Sequence, residues 1–236
     1  MPPSIYIATP VLGGQNLWAY TTSLVETALY LQRHGVRFGI VGTPNGSALA
    51  YGRNGLAAAF LQTTDFSNLF FIDADMGWRA ADVLRLASCC PQHDVVCGVY
   101  RMKKEPIEWA VRFLPDAHEH LHCCATCGAI EILRGPTGFM SIRREILERM
   151  IALHPELACR FDKDWQGHAL FNNAIDEAGG WFVGEDYGFC KLLRECGGSV
   201  WALPDIRLEH YGGKVFAGSL EEFLVTEQPI PLEVCK

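Results

Sequence analysis

At 236 residues, with 49% hydrophobic and 20% charged residues, the chain has the make-up of an ordinary globular protein and the length for one large α/β domain. A formal net charge of −7 argues against general electrostatic attraction to nucleic acid or anionic lipid. No apolar run approaches the roughly 20 residues that span a bilayer, and Met1-Pro2-Pro3-Ser4 lacks the basic start of a secretory leader, so a cytoplasmic protein without a transmembrane segment is expected.

Ile5 to Thr9 predicts a first strand, closed by Pro10. A helix is predicted from about Leu17 to His34, with Leu17, Leu24, Ala28 and Leu31 at helical spacing and Gly35 as its stop. Phe38 to Val41 predicts a second strand, followed by a loop and a small-residue helix from about Ala48 to Gln62. Leu69 to Ile72 is a run of four apolar residues, the pattern of a strand buried on both faces. A short helix near Arg79 to Ala87 leads to a strand from Asp94 to Tyr100. This alternation predicts a Rossmann-like, doubly wound α/β sheet, mixed but mainly parallel and flanked by helices.

The pattern then changes. Ile107 to Leu114 and Ala129 to Leu133 read as extended, Phe139 to Ile142 as a strand and Arg144 to Leu153 as a helix. A polar, weakly periodic stretch covers His154 to Gly180. Helix Glu185 to Glu195 ends at Gly197-Gly198, Val200 to Leu203 is a strand, and Ser219-x-x-Glu222 is a capping box for a last helix. With no repeat or linker-like stretch, residues 1–236 read as one domain. The ten cysteines are scattered, several of them (Cys97, Cys190, Cys196) in core elements, which fits a reduced set of buried thiols better than a disulfide framework. The exception is His118-x-His120-x-His122-Cys123-Cys124-Ala125-Thr126-Cys127, whose ligand chemistry suits zinc. A second Cys-x-x-Cys or His pair at the usual separation is missing, so a reduced surface hairpin is the expectation here and zinc the alternative.

Asp73-Ala74-Asp75 follows the four-residue apolar run directly. Carboxylates at the end of a buried strand need a partner, and the strand ends of open α/β sheets are where ligands sit. A hard divalent cation clamping phosphate oxygens would satisfy both charges; the bland alternative is a surface turn whose carboxylates cap the helix near Trp78 to Ala87. Gly184-Glu185-Asp186 places a second acidic pair at a helix start, which negative charge favours on its own account. His210-Tyr211-Gly212-Gly213-Lys214 joins an imidazole to a flexible turn and a lysine. Arg53, in Gly52-Arg53-Asn54, is a charge on a core-facing helix and needs a partner unless it faces solvent.

These motifs, in this order over Ile5 to Gly213, resemble GT-A-fold glycosyltransferases of the family 2-like kind, in particular the small single-domain enzymes of bacterial, phage and large-virus type. The resemblance implies metal-dependent transfer of a sugar from a nucleotide-sugar, UDP- or GDP-linked, to a hydroxyl of a glycan, protein or small-molecule acceptor. It implies that Asp73, Asp75 and His210 surround one Mn²⁺ or Mg²⁺, and that Thr9 and Pro10 grip base and ribose. Arg53 and Asn54 would face the nucleotide and the metal-site carboxylates, with Asp73 also on the donor and Lys214 on its diphosphate. Gly135-Pro136-Thr137-Gly138-Phe139-Met140 would line the sugar pocket. Asp186 would be the general base of an inverting reaction, positioned by Glu185. Residues 1–100 would then form the nucleotide-sugar half and 101–236 the acceptor and catalytic half. Arg101, Lys103 and Lys104 read as a solvated basic loop. One departure stands out: no aspartate lies within or just after Phe38 to Val41, where many family 2 enzymes hold uracil. The rival readings are a haloacid dehalogenase-like phosphohydrolase, which wants Thr or Val where Gly77 stands, and a non-catalytic nucleotide-sugar-binding domain.

Overall fold

The computed structural model describes residues 3–44, 48–89, 92–114, 120–176, 179–226 and 232–235. Its first half alternates β1 (Ile5–Val11), α1 (Trp18–Arg33), β2 (Phe38–Pro44), α2 (Leu49–Thr63) and β3 (Asn68–Ile72). A two-residue strand β4 (Met76–Gly77), α3 (Ala80–Ala87) and β5 (Val95–Cys97) complete it. Then come β6 (Arg112–Phe113), β7 (Leu121–Cys124), β8 (Ile130–Arg134), β9 (Phe139–Arg143) and α4 (Arg144–Leu153). The polar stretch holds two short hairpins, β10 (Ala158–Arg160) with β11 (Gln166–His168) and β12 (Ala174–Asp176) with β13 (Trp181–Val183). The chain closes with α5 (Glu185–Glu195), β14 (Val200–Ala202), β15 (Arg207–Tyr211), β16 (Val215–Ser219), α6 (Leu220–Thr226) and β17 (Leu232–Cys235).

The main sheet has the order β17-β7-β8-β14-β5-β9-β3-β1-β2, with β6 paired to β8. Parallel pairing joins β2 to β1, β1 to β3, β14 to β5 and β17 to β7; β9 runs against β3 and β5, and β8 against β14, β7 and β6. All the other strands of the sheet therefore point one way and β8 and β9 the other, giving the expected mixed, mainly parallel, Rossmann-like sheet. β3 and β5 are not direct neighbours as in a simple doubly wound sheet, because β9 enters between them. This insertion matters for the site. The start of a reversed strand lies beside the end of its neighbours, so Phe139 pairs with Ile72 and the Gly138 carbonyl accepts a hydrogen bond from Asp73 N at 3.0 Å.

Every residue of β3 is buried, as its unbroken apolar run requires. Burial of each of Leu69, Phe70, Phe71 and Ile72 stabilises the fold by about 1.5–3 kcal/mol. On α1 the buried face is Tyr20, Ser23, Thr27 and Leu31, while Leu17 is exposed. The face tolerates hydroxyls because Trp78 uses them, its Nε1 donating to Thr27 Oγ1 at 2.9 Å and its backbone N to Ser23 Oγ at 3.2 Å. Gly35 takes positive φ (65°) after α1, as a helix stop should. The extended reading of Ile107 to Leu114 shrinks to Arg112–Phe113 plus a bridge from Trp109 to Arg101. The flexible Gly212-Gly213 turn read after His210 joins two strands that were not predicted, the hairpin β15–β16, docked on β4. No described helix is long and apolar enough to cross a membrane.

Candidate active site

Arg53 is the centre of the arrangement. It lies in α2, 2% exposed, and its guanidinium reaches in two directions. Nη2 donates to both oxygens of Asp73, at 2.9 and 3.2 Å, and Nε donates to Glu185 Oε1 at 3.1 Å. One buried cation thus joins the acidic motif at the tip of β3 to the acidic motif at the head of α5. Burial works against the charge on Arg53, but Asp73 and then Glu185 outweigh it and hold the guanidinium's pKa up. Nη1 is buried without a hydrogen-bond partner among the described residues.

Packing explains why α5 meets α2. Asn54, next to Arg53, donates from Nδ2 to the Phe171 carbonyl (2.9 Å) and accepts from Phe171 N through Oδ1 (2.8 Å). The Phe171 ring stacks on Phe189 of α5, with centroids 4.4 Å apart. Gly188 lets the first turn of α5 lie against that same segment, since a Cβ there would sit 1.8 Å from the Asn172 carbonyl oxygen. Asn54 therefore spends its amide on the scaffold that brings Glu185 to Arg53.

Asp75 belongs to a second cluster. The hairpin β15–β16 pairs His210 with Met76, and Tyr211 N donates to the Asp75 carbonyl at 2.9 Å. One ring nitrogen of His210, Nδ1, lies 2.9 Å from the Arg101 carbonyl oxygen. A carbonyl only accepts, so Nδ1 carries the proton and Nε2 keeps its lone pair. Nε2 faces Asp75 Oδ1 at 3.8 Å, so these two atoms are the pair that would hold a cation here. Burial lowers the His210 pKa and so favours the neutral, ligating form. An oriented imidazole beside a carboxylate is suitable chemistry for Mn²⁺ or Mg²⁺. Asp73, however, is committed to Arg53, and with Asp75 and His210 it does not make a ligand set within 4.8 Å. Lys103 forms an ion pair with Asp75, so the loop read as solvated supplies a charge to the site. Lys214 instead pairs with Glu105 and lies over the Phe216 ring.

Asp186 follows Glu185 in the first turn of α5, and its Oδ1 accepts a hydrogen bond from Tyr187 N at 2.8 Å. Its place at a helix start predicts a stabilised carboxylate. Burial, followed by the charge of Glu185, wins instead and pushes its pKa up to about 6. Tyr100 stands between the clusters, its ring edge-on to His210 with centroids 4.8 Å apart. Burial first, and then the charge of Asp73, raises its phenol well above the ordinary value. Gly138 closes the space: a Cβ there would lie 2.4 Å from the Tyr100 hydroxyl and 2.7 Å from Asp73 Oδ2.

Thr9 and Pro10 are buried at the end of β1, with the Thr9 hydroxyl 2.5 Å from that of Tyr20. Tyr100 and Lys103 are the residues that sequence reasoning missed. A tyrosine closing the strand predicted from Asp94 to Tyr100 was the available signal for the first; Lys103 carried none that set it apart from Lys104. His118 of the His/Cys segment lies outside the described residues, and Leu121–Cys124 with Ile130–Arg134 forms the hairpin expected there. A cavity of about 910 Å³, lined by Ser4, Arg37 and Asn68 among others, opens at the opposite ends of the strands from the carboxylates.

No protein-family model matches the chain, and no curated protein matches it in sequence. Solved structures match it in shape. The crystal structure of A197 from STIV aligns with 20% identity and a TM-score of 0.54, covering 92% of this chain and 91% of that one. A glycosyltransferase involved in glycosylation of the major capsid of PBCV-1 aligns more loosely, at 12% identity and TM-score 0.35, over 65% of this chain and 68% of its own. A Drosophila β1,4-galactosyltransferase 7 variant in complex with manganese, UDP-Gal and xylobiose aligns at 12% identity and TM-score 0.42, over 99% of this chain and 76% of its own. The likeness to A197, which spans nearly all of both chains, is one of fold.

Proposed function

We propose that this chain is a GT-A-type, family 2-like glycosyltransferase that moves a sugar from a UDP- or GDP-sugar to an acceptor hydroxyl with inversion. The observation that carries the reading is Arg53, which ties the Asp-x-Asp strand end to the Glu-Asp helix start, with Asp75 and an oriented His210 alongside. Asp75 and His210 would hold Mn²⁺ or Mg²⁺, which would supply positive charge to neutralise the donor's diphosphate. The spare donor of Arg53 and the ammonium of Lys103 supply positive charge for the donor phosphates. Lys214 would have to leave Glu105 to do the same. Asp186, with a pKa pushed up to about 6, is suited to take a proton from an acceptor hydroxyl near neutral pH. Glu185 positions it from the Arg53 ion pair. The first hundred residues would serve the donor, and the remainder of the one domain would serve the acceptor.

The phosphohydrolase reading needs one Asp of the pair as a nucleophile, and both oxygens of Asp73 are engaged by Arg53. The test is incubation with a panel of UDP- and GDP-sugars and Mn²⁺, following nucleoside diphosphate release. Release that needs the metal and is lost in Asp75→Ala is the expected result. If no donor is turned over while phosphomonoesters yield free phosphate, the transferase reading fails. Tight donor binding without turnover would identify a binding domain instead.

A further inference from the structure

Three ligand-type side chains from separate segments, none of them in the acidic motifs, converge. Cys89 follows the last turn of α3, His93 precedes β5, and Cys127 sits in the β7–β8 turn. Their ligand atoms, Sγ, a ring nitrogen and Sγ, all lie within 4.8 Å of one another, the one such group of three found among the described residues. The two sulfurs are 2.9 Å apart.

His93 is the informative member. It is 5% exposed, and neither Nδ1 nor Nε2 has a hydrogen-bond partner among the described residues. A buried polar group left unsatisfied is destabilising, so an imidazole with two idle nitrogens beside two sulfurs calls for a ligand. The ring is held in place by stacking on Trp201, with centroids 3.9 Å apart and planes 22° from parallel. Burial lowers its pKa and favours the neutral, ligating form.

We propose that Cys89, His93 and Cys127 form a structural zinc site. Binding releases two thiol protons to solvent, and two thiolates with a neutral imidazole cancel the charge of Zn²⁺, which suits a buried position. Soft sulfur ligands select zinc over the oxygen-preferring Mn²⁺ or Mg²⁺, so this site is chemically distinct from the carboxylate cluster. With Zn–S bonds of about 2.3 Å in a tetrahedral shell, the sulfurs move apart to about 3.8 Å. The fourth position falls to water. The ion would fasten the β7–β8 hairpin to the end of α3 and the entry to β5. Neither the cluster nor its test depends on the transferase reading.

The experiment uses the full chain, reduced, stripped with chelator and titrated with Co²⁺ as a spectroscopic stand-in, then with Zn²⁺. The expected result is one equivalent giving thiolate-to-metal charge transfer and tetrahedral ligand-field bands, displaced by Zn²⁺. Asp75→Ala should leave these bands unchanged, while Cys127→Ser and His93→Gln should lose or shift them. Should those two variants fail to fold, the native titration still decides. Absence of thiolate charge transfer with no zinc retained after gel filtration overturns the proposal, and so does recovery of Cys89 and Cys127 as a disulfide from protein prepared with zinc present.

Discussion

Asp186 is the residue whose environment most changes its chemistry. Its carboxyl titrates near 6 in the folded protein against about 3.9 in an unfolded chain. Between those values the folded state binds more protons than the unfolded one, so the contribution of Asp186 to stability falls as pH rises through that window. Above it the buried carboxylate costs up to about 3 kcal/mol, two pKa units at about 1.4 kcal/mol each. Asp186→Asn should therefore raise the urea midpoint at pH 8 and leave it unchanged below pH 4. In the same variant transfer should disappear, because the amide cannot accept the proton, whereas in the unaltered protein kcat/KM should climb with pH through about 6. Melts and pH profiles of the pair check both halves of this, and equal stability of the two proteins at pH 8 would contradict it. The loss of activity and gain of stability would come from one atom, as expected of a site kept under strain by its function.

At the level of elements, what could be read from the chain was whatever is governed by local pattern. Helices α4 and α5 run from Arg144 to Leu153 and from Glu185 to Glu195 as periodicity predicts, because their apolar residues recur on one face. The capping box is present in full, with Ser219 N donating to Glu222 Oε2 at 3.3 Å and Glu222 N to Ser219 Oγ at 3.2 Å. Ser219→Ala should cost about 1 kcal/mol, measurable as a lower urea midpoint with an unchanged slope. No shift would mean that α6 is held by packing alone. What was not legible depends on partners distant in sequence. The four strands β10 to β13 have three residues each and no buried one, too short and too open for a period-2 signal. The β15–β16 hairpin did carry a signal, a Gly-Gly-Lys turn between two runs of strand-forming residues. Reading it would have placed His210 on a strand. Within the site, Arg53 and the acidic pairs were legible as charges in need of partners, but Lys103 was not, because nothing local distinguishes it from Lys104, which pairs with Glu108.

On the scale of the whole molecule, Arg53 connects the two halves of the chain. Its removal would leave two largely buried carboxylates facing each other with no cation between them. Arg53→Met should therefore destabilise the protein by about 3–5 kcal/mol, and chemical denaturation at pH 7 measures it. Arg53→Lys keeps a charge but not a fork able to reach Asp73 and Glu185 together, so it should recover only part of the loss. Full stability in Arg53→Met would show that the ion pairs contribute nothing net. The insertion of β9 between β3 and β5 could not have been foreseen at this scale, since strand order is decided by pairing between segments some seventy residues apart.

The two arms of Arg53 also differ in how much chain they enclose. The contact with Asp73 closes a loop of 20 residues and that with Glu185 a loop of 132. By polymer statistics the longer closure costs about 1.7 kcal/mol more in chain entropy. The short arm can close while much of the chain is still unfolded, giving the arginine a counter-charge before its helix is covered. The long arm needs α5 in place, so bringing the two acidic motifs together carries the larger share of the chain entropy lost around this arginine.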